Sequence, residues 1–128
     1  MLAALHLTAG SLDRLTAQTE ATVNRLAPIL AAEDARDFKP ALFTSALLDP
    51  DPLVVRTAIR AIGRIGDPQG IPLLAGVFTR PDSADLRAEA AFALGIIRDT
   101  SAVPILVQWL QRPEPRPASA TGEAVTAL

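Results

Sequence analysis

The chain has 128 residues, of which 49% are hydrophobic and only 4% aromatic, and its net charge is −2. A domain of this length buries a substantial core. The apolar volume of that core comes from Ala, Leu, Ile and Val rather than from aromatic rings, and such side chains suit closely packed helices. The acidic balance counts against nucleic acid as a partner. The absence of cysteine excludes a disulfide framework, a thiolate nucleophile and a cysteine-based zinc site.

The first eleven residues, MLAALHLTAGS, are apolar and end in small residues. They lack the basic start of a secretion signal, and Ser11 stands where a lipoprotein signal needs cysteine. We therefore interpret them as an apolar arm that packs on the first repeat. The alternative, a remnant of an export signal, leaves the compartment open between cytoplasm and periplasm. No stretch is long and apolar enough to span a bilayer, although a membrane-associated partner remains open.

A first helix is predicted to begin at Ser11, which is a favourable N-cap residue. Side chains then recur at steps of three and four on one face of the helix; they are Leu12, Leu15, Thr19, Val23 and Leu26. Pro28 removes a backbone donor and clashes with the preceding turn. We therefore expect a kink or break near Arg25 to Ala27, with the helix resuming from Ile29 to Arg36.

The middle of the chain contains an internal repeat. The stretches Leu53 to Leu74 and Asp85 to Leu106 match when one is moved by 32 positions. The matching pairs are Val54/Leu86, Ala58/Ala90, Ala61/Ala93, Ile62/Leu94, Gly63/Gly95, Ile65/Ile97, Asp67/Asp99, Ile71/Val103, Pro72/Pro104 and Leu74/Leu106. This period is typical of helix pairs that bury their apolar faces by stacking. We call the first helix of each unit helix A and the second helix B.

Prolines in register predict where each helix B begins. Pro40, Pro72 and Pro104 are 32 positions apart, and proline is tolerated in a first helical turn because its missing N–H has no partner there. The helices B that follow have the sequences ALFTSALLD, LLAGVFTR and ILVQWLQR. Each ends at a proline beside an acid, in Asp49-Pro50-Asp51, Pro81-Asp82 and Pro113-Glu114.

Glycine and aspartate recur at the end of helix A. Gly63 and Gly95 lower helix propensity, so we expect them either to permit a close helix crossing or to serve the end of the helix. Asp67 and Asp99 follow in the turn. We expect their carboxylates to accept backbone N–H bonds there rather than to act in catalysis.

A third helix A is predicted at the end of the sequence, where Ala120 to Leu128 aligns with Leu86 to Leu94 and stops before the next glycine. Because a solenoid needs a terminal unit with a polar outer face, we expect a fragment of a longer array, or an end that packs on another molecule. We divide the chain into an apolar arm with capping helices over residues 1–36 and repeats over residues 37–128, the last one truncated.

These units resemble a known family. Asp51 to Leu74 reads DPLVVRTAIRAIGRIGDPQGIPLL, which is similar to the short bacterial HEAT repeats named after phycobilisome-lyase-like proteins. The resemblance covers about Pro40 to Leu128. It implies an all-α fold, an α-solenoid of about three stacked antiparallel helix pairs with an N-terminal helical cap. The repeats of that family read roughly DPxVRxxAAxALGxIGDxxAIPxL. Val55 stands at the arginine of this pattern in the first clear unit, and Arg98 stands at its second glycine in the next unit.

The resemblance also implies a non-enzymatic scaffold that binds another protein or serves as a subunit of a larger assembly. The stretch ILAAEDARDF is similar to the front of some bacterial HEAT proteins that carry a peptidyl-prolyl isomerase domain. The alternative function is therefore a regulatory or accessory N-terminal module of a larger enzyme, associated with an isomerase or a lyase.

Few side chains are suited to catalysis. His6 is the only histidine, which excludes a histidine dyad and a metal site with two histidines. The acids Glu33, Asp34 and Asp37 lack the spacing of an EF-hand, so we interpret them as a solvated turn rather than a Mg²⁺ or Ca²⁺ site. We predict no catalytic residue, no cofactor and no bound metal.

Arg56, Arg60 and Arg64 lie at steps of four residues on one face of a helix A. Such a stripe suits an acidic partner or a phosphate. We interpret it instead as an ordinary exposed face, since charged runs on helices are usually solvated.

In the implied architecture the helices B line the concave side. We expect core positions at Leu42/Leu74/Leu106 and Ala46/Phe78/Leu110, and outward positions at Phe43/Ala75/Val107, Thr44/Gly76/Gln108 and Leu47/Thr79/Gln111. An apolar strip bordered by neutral polar groups suits a partner helix or peptide. We predict partner-binding residues at Phe43, Leu47, Thr79, Val107, Gln108, Gln111 and Trp109. Trp109 has two interpretations, a filler of the last gap between repeats and a partly exposed binding residue.

Overall fold

The structure is a computed structural model, and it describes residues 9–80 and 83–112. Within these ranges the chain forms six helices. They are α1 (Ala9–Ala35), α2 (Pro40–Leu47), α3 (Pro52–Ile65), α4 (Ile71–Val77), α5 (Ala84–Ile97) and α6 (Val103–Leu110). No strand occurs among these residues. The predicted all-α fold is therefore confirmed, whereas the predicted third helix A over 120–128 lies outside the described residues.

The helices form three successive pairs in which α1, α3 and α5 are the helices A. The central α3 packs against α1 on one side and against α5 on the other. The helices B form a second row, in which α2 contacts α3 and α4, and α4 contacts α5. The ring of Trp109 in α6 packs on Phe78 at the end of α4, with 5.0 Å between the ring centroids.

Helix α1 runs through Pro28 without interruption, so of the kink or break predicted near Arg25 to Ala27, the break does not occur. The helix also begins at Ala9, before the predicted N-cap Ser11. Proline deprives the carbonyl four residues earlier of its helical partner. That carbonyl belongs to Asn24, an exposed residue, so water can replace the lost bond. Burial of Ile29 and of Ala32 after it holds the last turns in place.

Helix α3 is the best-defined helix A because its two ends carry strong signals. The Asp51 carboxylate accepts a hydrogen bond from the Leu53 N–H at 2.9 Å, and Pro52 occupies the first helical position. Gly66 closes the helix in the left-handed conformation, with φ of 76°. Between these ends, apolar residues of both flanks are buried because α3 has a neighbour on each side; they are Val54, Val55, Ala58, Ile59, Ala61 and Ile62.

The turns between helix A and helix B are built as the sequence predicts. The Asp67 carboxylate accepts from the Gln69 N–H at 2.9 Å, and the Asp99 carboxylate accepts from the Ser101 N–H at 2.8 Å. Each aspartate thereby caps a short 3₁₀ turn that leads into the next helix B; the two turns are Pro68–Gly70 and Thr100–Ala102. The predicted structural role of both acids is confirmed.

The prolines mark the start of each helix B, with one difference in register. Pro40 is the first residue of α2, whereas Pro72 and Pro104 are the second residues of α4 and α6. As a result, the burial pattern of α2 precedes that of α4 by 31 positions rather than 32. The corresponding buried pairs are Phe43/Leu74, Ala46/Val77 and Leu47/Phe78. Between α4 and α6 the period is 32, as in Leu74/Leu106 and Val77/Trp109.

Candidate protein-interaction surface

Three of the predicted partner-binding residues are not on the surface, two of them in α2 and the third, Trp109, in α6. Phe43 is fully buried in the core and stacks on Phe38, with 5.4 Å between ring centroids, and Leu47 is also buried. Both predictions are wrong for one reason. The alignment of prolines placed these residues opposite Ala75 and Thr79, but the register of α2 places them in the core positions of Leu74 and Phe78.

Of the predicted outward positions in the later helices, Ala75 is half-buried and the others are exposed; the exposed ones are Gly76, Thr79, Val107, Gln108 and Gln111. The predicted core positions Leu74, Leu106, Ala46 and Phe78 are buried, while Leu42 and Leu110 are half-buried. Trp109 is buried against Phe78, so its ring fills the gap between α4 and α6. Of its two interpretations, the filler of the gap matches this position.

A shallow apolar groove of about 220 Å³ lies between α2 and α4. Its lining residues are Thr44, Leu47, Leu48, Pro72, Leu73, Gly76, Val77 and Arg80. Leu48, directly after α2, is 73% exposed, the largest exposed fraction among the large apolar side chains described. Leu48 was not among the predicted binding residues, and the register of α2 identifies it, because this register places Leu48 at the position of the exposed Thr79 and Gln111.

Those two arginines connect consecutive helices B. The Arg80 guanidinium donates to the Leu47 carbonyl at the end of α2. The Arg112 guanidinium donates in the same way to the Phe78 carbonyl at the end of α4, at 2.5 Å. Each arginine therefore satisfies a helix carbonyl that has no partner within its own helix. Leu48 directly follows the carbonyl-bearing Leu47 at the end of α2, and its apolar side chain is exposed.

On the helix A side, the arginine stripe forms ion pairs between helices. Arg60 of α3 binds Glu89 of α5 through two hydrogen bonds, Nε to Oε2 at 3.0 Å and Nη2 to Oε1 at 2.6 Å. Hydrogen bonding and the charge of Glu89 both raise the pKa of Arg60. Arg64 pairs with Glu33 of α1 at 2.7 Å. The stripe is thus more than a solvated face, since it joins α1, α3 and α5.

Two of the three acids that the sequence groups near the end of α1 face cations. Glu33 binds Arg64, and Asp37 lies 3.9 Å from the Lys39 ammonium. Across residues 9–80 and 83–112, no three side chains of histidine, cysteine, aspartate or glutamate are grouped as a metal site would require. Over the same part of the chain, the helices lack the length and apolar character needed to cross a bilayer.

Comparison with known proteins yields two matches of interest. The family described as HEAT repeats matches residues 8–94 and again residues 40–126. The bilin biosynthesis protein PecE of Mastigocladus laminosus is 38% identical over 73 residues, which are 57% of this chain. The chain spans only 27% of the length of that relative. No solved structure gave a significant match.

The family match and the geometry describe the same architecture. The matched region contains all six helices, the aspartates that cap the turns between helix A and helix B, and the arginines that connect consecutive helices B. Stacked helix pairs of this kind form an α-solenoid. The chain belongs to the HEAT repeat family.

Proposed function

We propose that this chain is a non-enzymatic scaffold that binds another protein, or joins a larger assembly, through the exposed surface of its helices B. The observation that carries the proposal is the apolar groove between α2 and α4, with the exposed Leu48 at its edge. The binding residues are Leu48 and Leu73 together with those predicted residues that are exposed. The exposed predicted residues are Thr79, Val107, Gln108 and Gln111.

The composition of this surface suits a partner protein. Burying an exposed leucine side chain contributes about 2 kcal/mol to association, so Leu48 offers a larger gain than any polar neighbour. Thr44 and Gln108 are exposed neutral residues, which can form hydrogen bonds to a partner without the desolvation cost of a charge. Val107 is an exposed apolar side chain on α6. An apolar centre with a neutral polar rim is the usual composition of a site for a helix or peptide.

Charge substitutions with a matched control test this proposal. Leu48→Asp and Val107→Asp should remove the proteins that co-purify with the unmodified chain from its native cells, as measured by quantitative mass spectrometry. Leu53→Asp makes the same change at a leucine of α3 that is also exposed, and it should leave the recovered proteins unchanged. Circular dichroism establishes that each variant is folded. Identical recovery with all three variants would contradict binding through the helices B.

The alternative is an accessory module of an enzyme in bilin biosynthesis. The similarity to the bilin biosynthesis protein PecE supports it. This function predicts that the chain alters the absorption spectrum of a free bilin, or the rate at which a bilin becomes attached to an acceptor protein. The scaffold function predicts neither effect. Spectra of a bilin titrated with the purified chain, with and without an acceptor, therefore distinguish the two.

A further inference from the structure

Two depressions on the helix A side form one continuous trough. The first, of about 490 Å³, lies between α3 and α5, and the second, of about 680 Å³, extends over α1. Arg64 and Ile96 line both depressions. We call the combined surface the helix A trough. It is separate from the helix B groove, since the two share no lining residue.

The repeat places unlike side chains on the two walls of the first depression. On α3 the wall carries Arg56, Arg60 and Arg64. The equivalent positions of α5, 32 residues later, carry Ala88, Phe92 and Ile96. Phe92 and Ile96 are exposed although they are large and apolar. A basic stripe therefore runs beside an apolar stripe, both at steps of four residues.

The guanidinium groups, rather than their carboxylate partners, face the solvent. The Arg60 side chain is 52% exposed and that of Glu89 is 22% exposed. The Arg64 side chain is 63% exposed and that of Glu33 is 18% exposed. Because a guanidinium has more N–H donors than one carboxylate accepts, both arginines retain donors for a second acid. A molecule that contacts the α3 wall of the trough therefore meets guanidinium groups, although the lining as a whole carries as many carboxylates as arginines.

Arg56 adds a further unmet interaction. Its Nε atom is buried and has no hydrogen-bond partner within the described part of the chain, and it lies 3.8 Å from the nearest Glu89 oxygen. Buried polar nitrogens normally have a partner. Because this nitrogen is not accessible to solvent, a carboxylate placed between Arg56 and Arg60 would pair with the outer end of the Arg56 guanidinium, whose side chain is 39% exposed.

We propose that the helix A trough binds an acidic amphipathic helix of a partner protein. The carboxylates of that helix, one turn apart, pair with the arginines of α3, while its apolar side chains contact Phe92 and Ile96. The distance along the α3 axis from Arg56 to Arg64 is about 12 Å, which matches carboxylates on successive turns. A phosphate backbone fits less well, because it has no apolar face for Phe92 and Ile96 and carries charge along its whole length past Asp34 and Asp85. A helix can place its carboxylates beside the α3 arginines alone.

Binding of designed helical peptides tests the proposal. The probes are an acidic peptide with glutamates at steps of four beside an apolar face, the same peptide with lysines in place of glutamates, and an acidic peptide without the apolar face. Fluorescence anisotropy should detect only the first, and its binding should weaken with added salt. Phe92→Ser should weaken it about tenfold, and Arg64→Gln about threefold.

Leu48→Asp is the matched control, because Leu48 lies in the helix B groove, and it should leave binding of the acidic peptide unchanged. This control separates the proposal from the function assigned to the helices B. Equal binding of the acidic and lysine peptides, or binding of neither, would overturn the proposal. So would tighter binding of a single-stranded oligonucleotide, since the trough would then be a site for polyanions. If Arg64→Gln fails to fold, Phe92→Ser alone decides.

Discussion

Gly63 and Ala93 bring the backbones of α3 and α5 into direct contact. A Cβ atom on Gly63 would lie 2.9 Å from both the Cα and the Cβ of Ala93. Such a distance is too short for carbon atoms, and the obstacle is backbone, which cannot rotate away. Of the two roles expected for this glycine, it therefore permits a close crossing, and Gly66 ends the helix instead.

Gly63→Ala should destabilise the fold. Overpacking costs about 1–3 kcal/mol, which exceeds the gain of about 1 kcal/mol from better helix propensity. Gly76→Ala in α4 is the control, because a Cβ there meets nothing within 4 Å, and it should be neutral or stabilising by up to about 1 kcal/mol. Urea denaturation measures both changes. A Gly63→Ala variant as stable as Gly76→Ala would show that the crossing can widen at little cost.

Arg98→Gly should stabilise the chain. Arg98 ends α5 in the left-handed conformation, with φ of 57°, where the equivalent residue after α3 is Gly66. This conformation costs a residue with a Cβ about 1–2 kcal/mol, and glycine avoids that cost. Part of the resulting gain in stability is offset because glycine has more conformational freedom in the unfolded chain. We expect a net increase of about 0.5–1 kcal/mol in the free energy of unfolding.

The reciprocal change, Gly66→Ala, should destabilise by a similar amount. A Cβ on Gly66 meets nothing within 4 Å, so its cost is conformational and not steric. Thermal denaturation of both variants gives the comparison. Changes of the same sign in the two variants would refute the conformational explanation.

Arg80→Met should weaken the connection between the first two helices B. The substitution keeps much of the apolar stem but removes the guanidinium that donates to the Leu47 carbonyl. Hydrogen bonds from a charged group contribute about 1.5–3 kcal/mol, and the partly buried site favours the upper half of that range. The control is Arg14→Met at an exposed position of α1, which should change stability by less than about 0.5 kcal/mol. Similar losses in both variants would argue against a specific role for the Arg80 bond.

Ser101→Ala should raise the pKa of Asp99. The Ser101 hydroxyl and N–H donate to the same Asp99 oxygen at 2.7 Å and 2.8 Å, and they hold the pKa of Asp99 below its ordinary value of 3.8. A carboxylate with a lowered folded pKa contributes stability above its unfolded pKa and loses that contribution as pH falls through the folded pKa. The variant keeps the N–H donor, so the pKa should move only part of the way to 3.8.

Carboxyl carbon chemical shifts, followed by NMR across the acid range, report the pKa of Asp99 directly. Ser45→Ala, at an exposed position of α2, serves as the control and should leave the titration of Asp99 unchanged. An unaltered pKa in the Ser101→Ala variant would mean that the hydroxyl does not hold the carboxylate.

Much of the architecture could be predicted because its signals are local. The prolines before each helix B and the aspartates in the turns act within one turn of the chain, and they are visible in the sequence. The helix does not break at Pro28 because the burial of Ile29 outweighs the loss of one backbone bond, and burial depends on neighbours that are distant in sequence. Local signals do not reveal such compensation.

The surface was harder to predict because it depends on register. Moving a helix by one residue rotates every side chain by about 100°, and this rotation carries Phe43 and Leu47 from the surface into the core. Pro40 does not determine the register of α2, since proline is accepted at either of the first two helical positions. The exposure of Leu48 depends on how α2 and α4 lie beside one another. The same holds for the contrast between the arginines of α3 and the apolar residues of α5, so neither surface feature could be recognised from the sequence alone.

The arginines that follow α4 and α6 give the array a direction. Each one donates to a carbonyl at the end of the preceding helix B, so both bonds run from a later unit to the unit before it. An inserted unit preserves this pattern only if an arginine follows its own helix B and its last helical carbonyl faces the next unit.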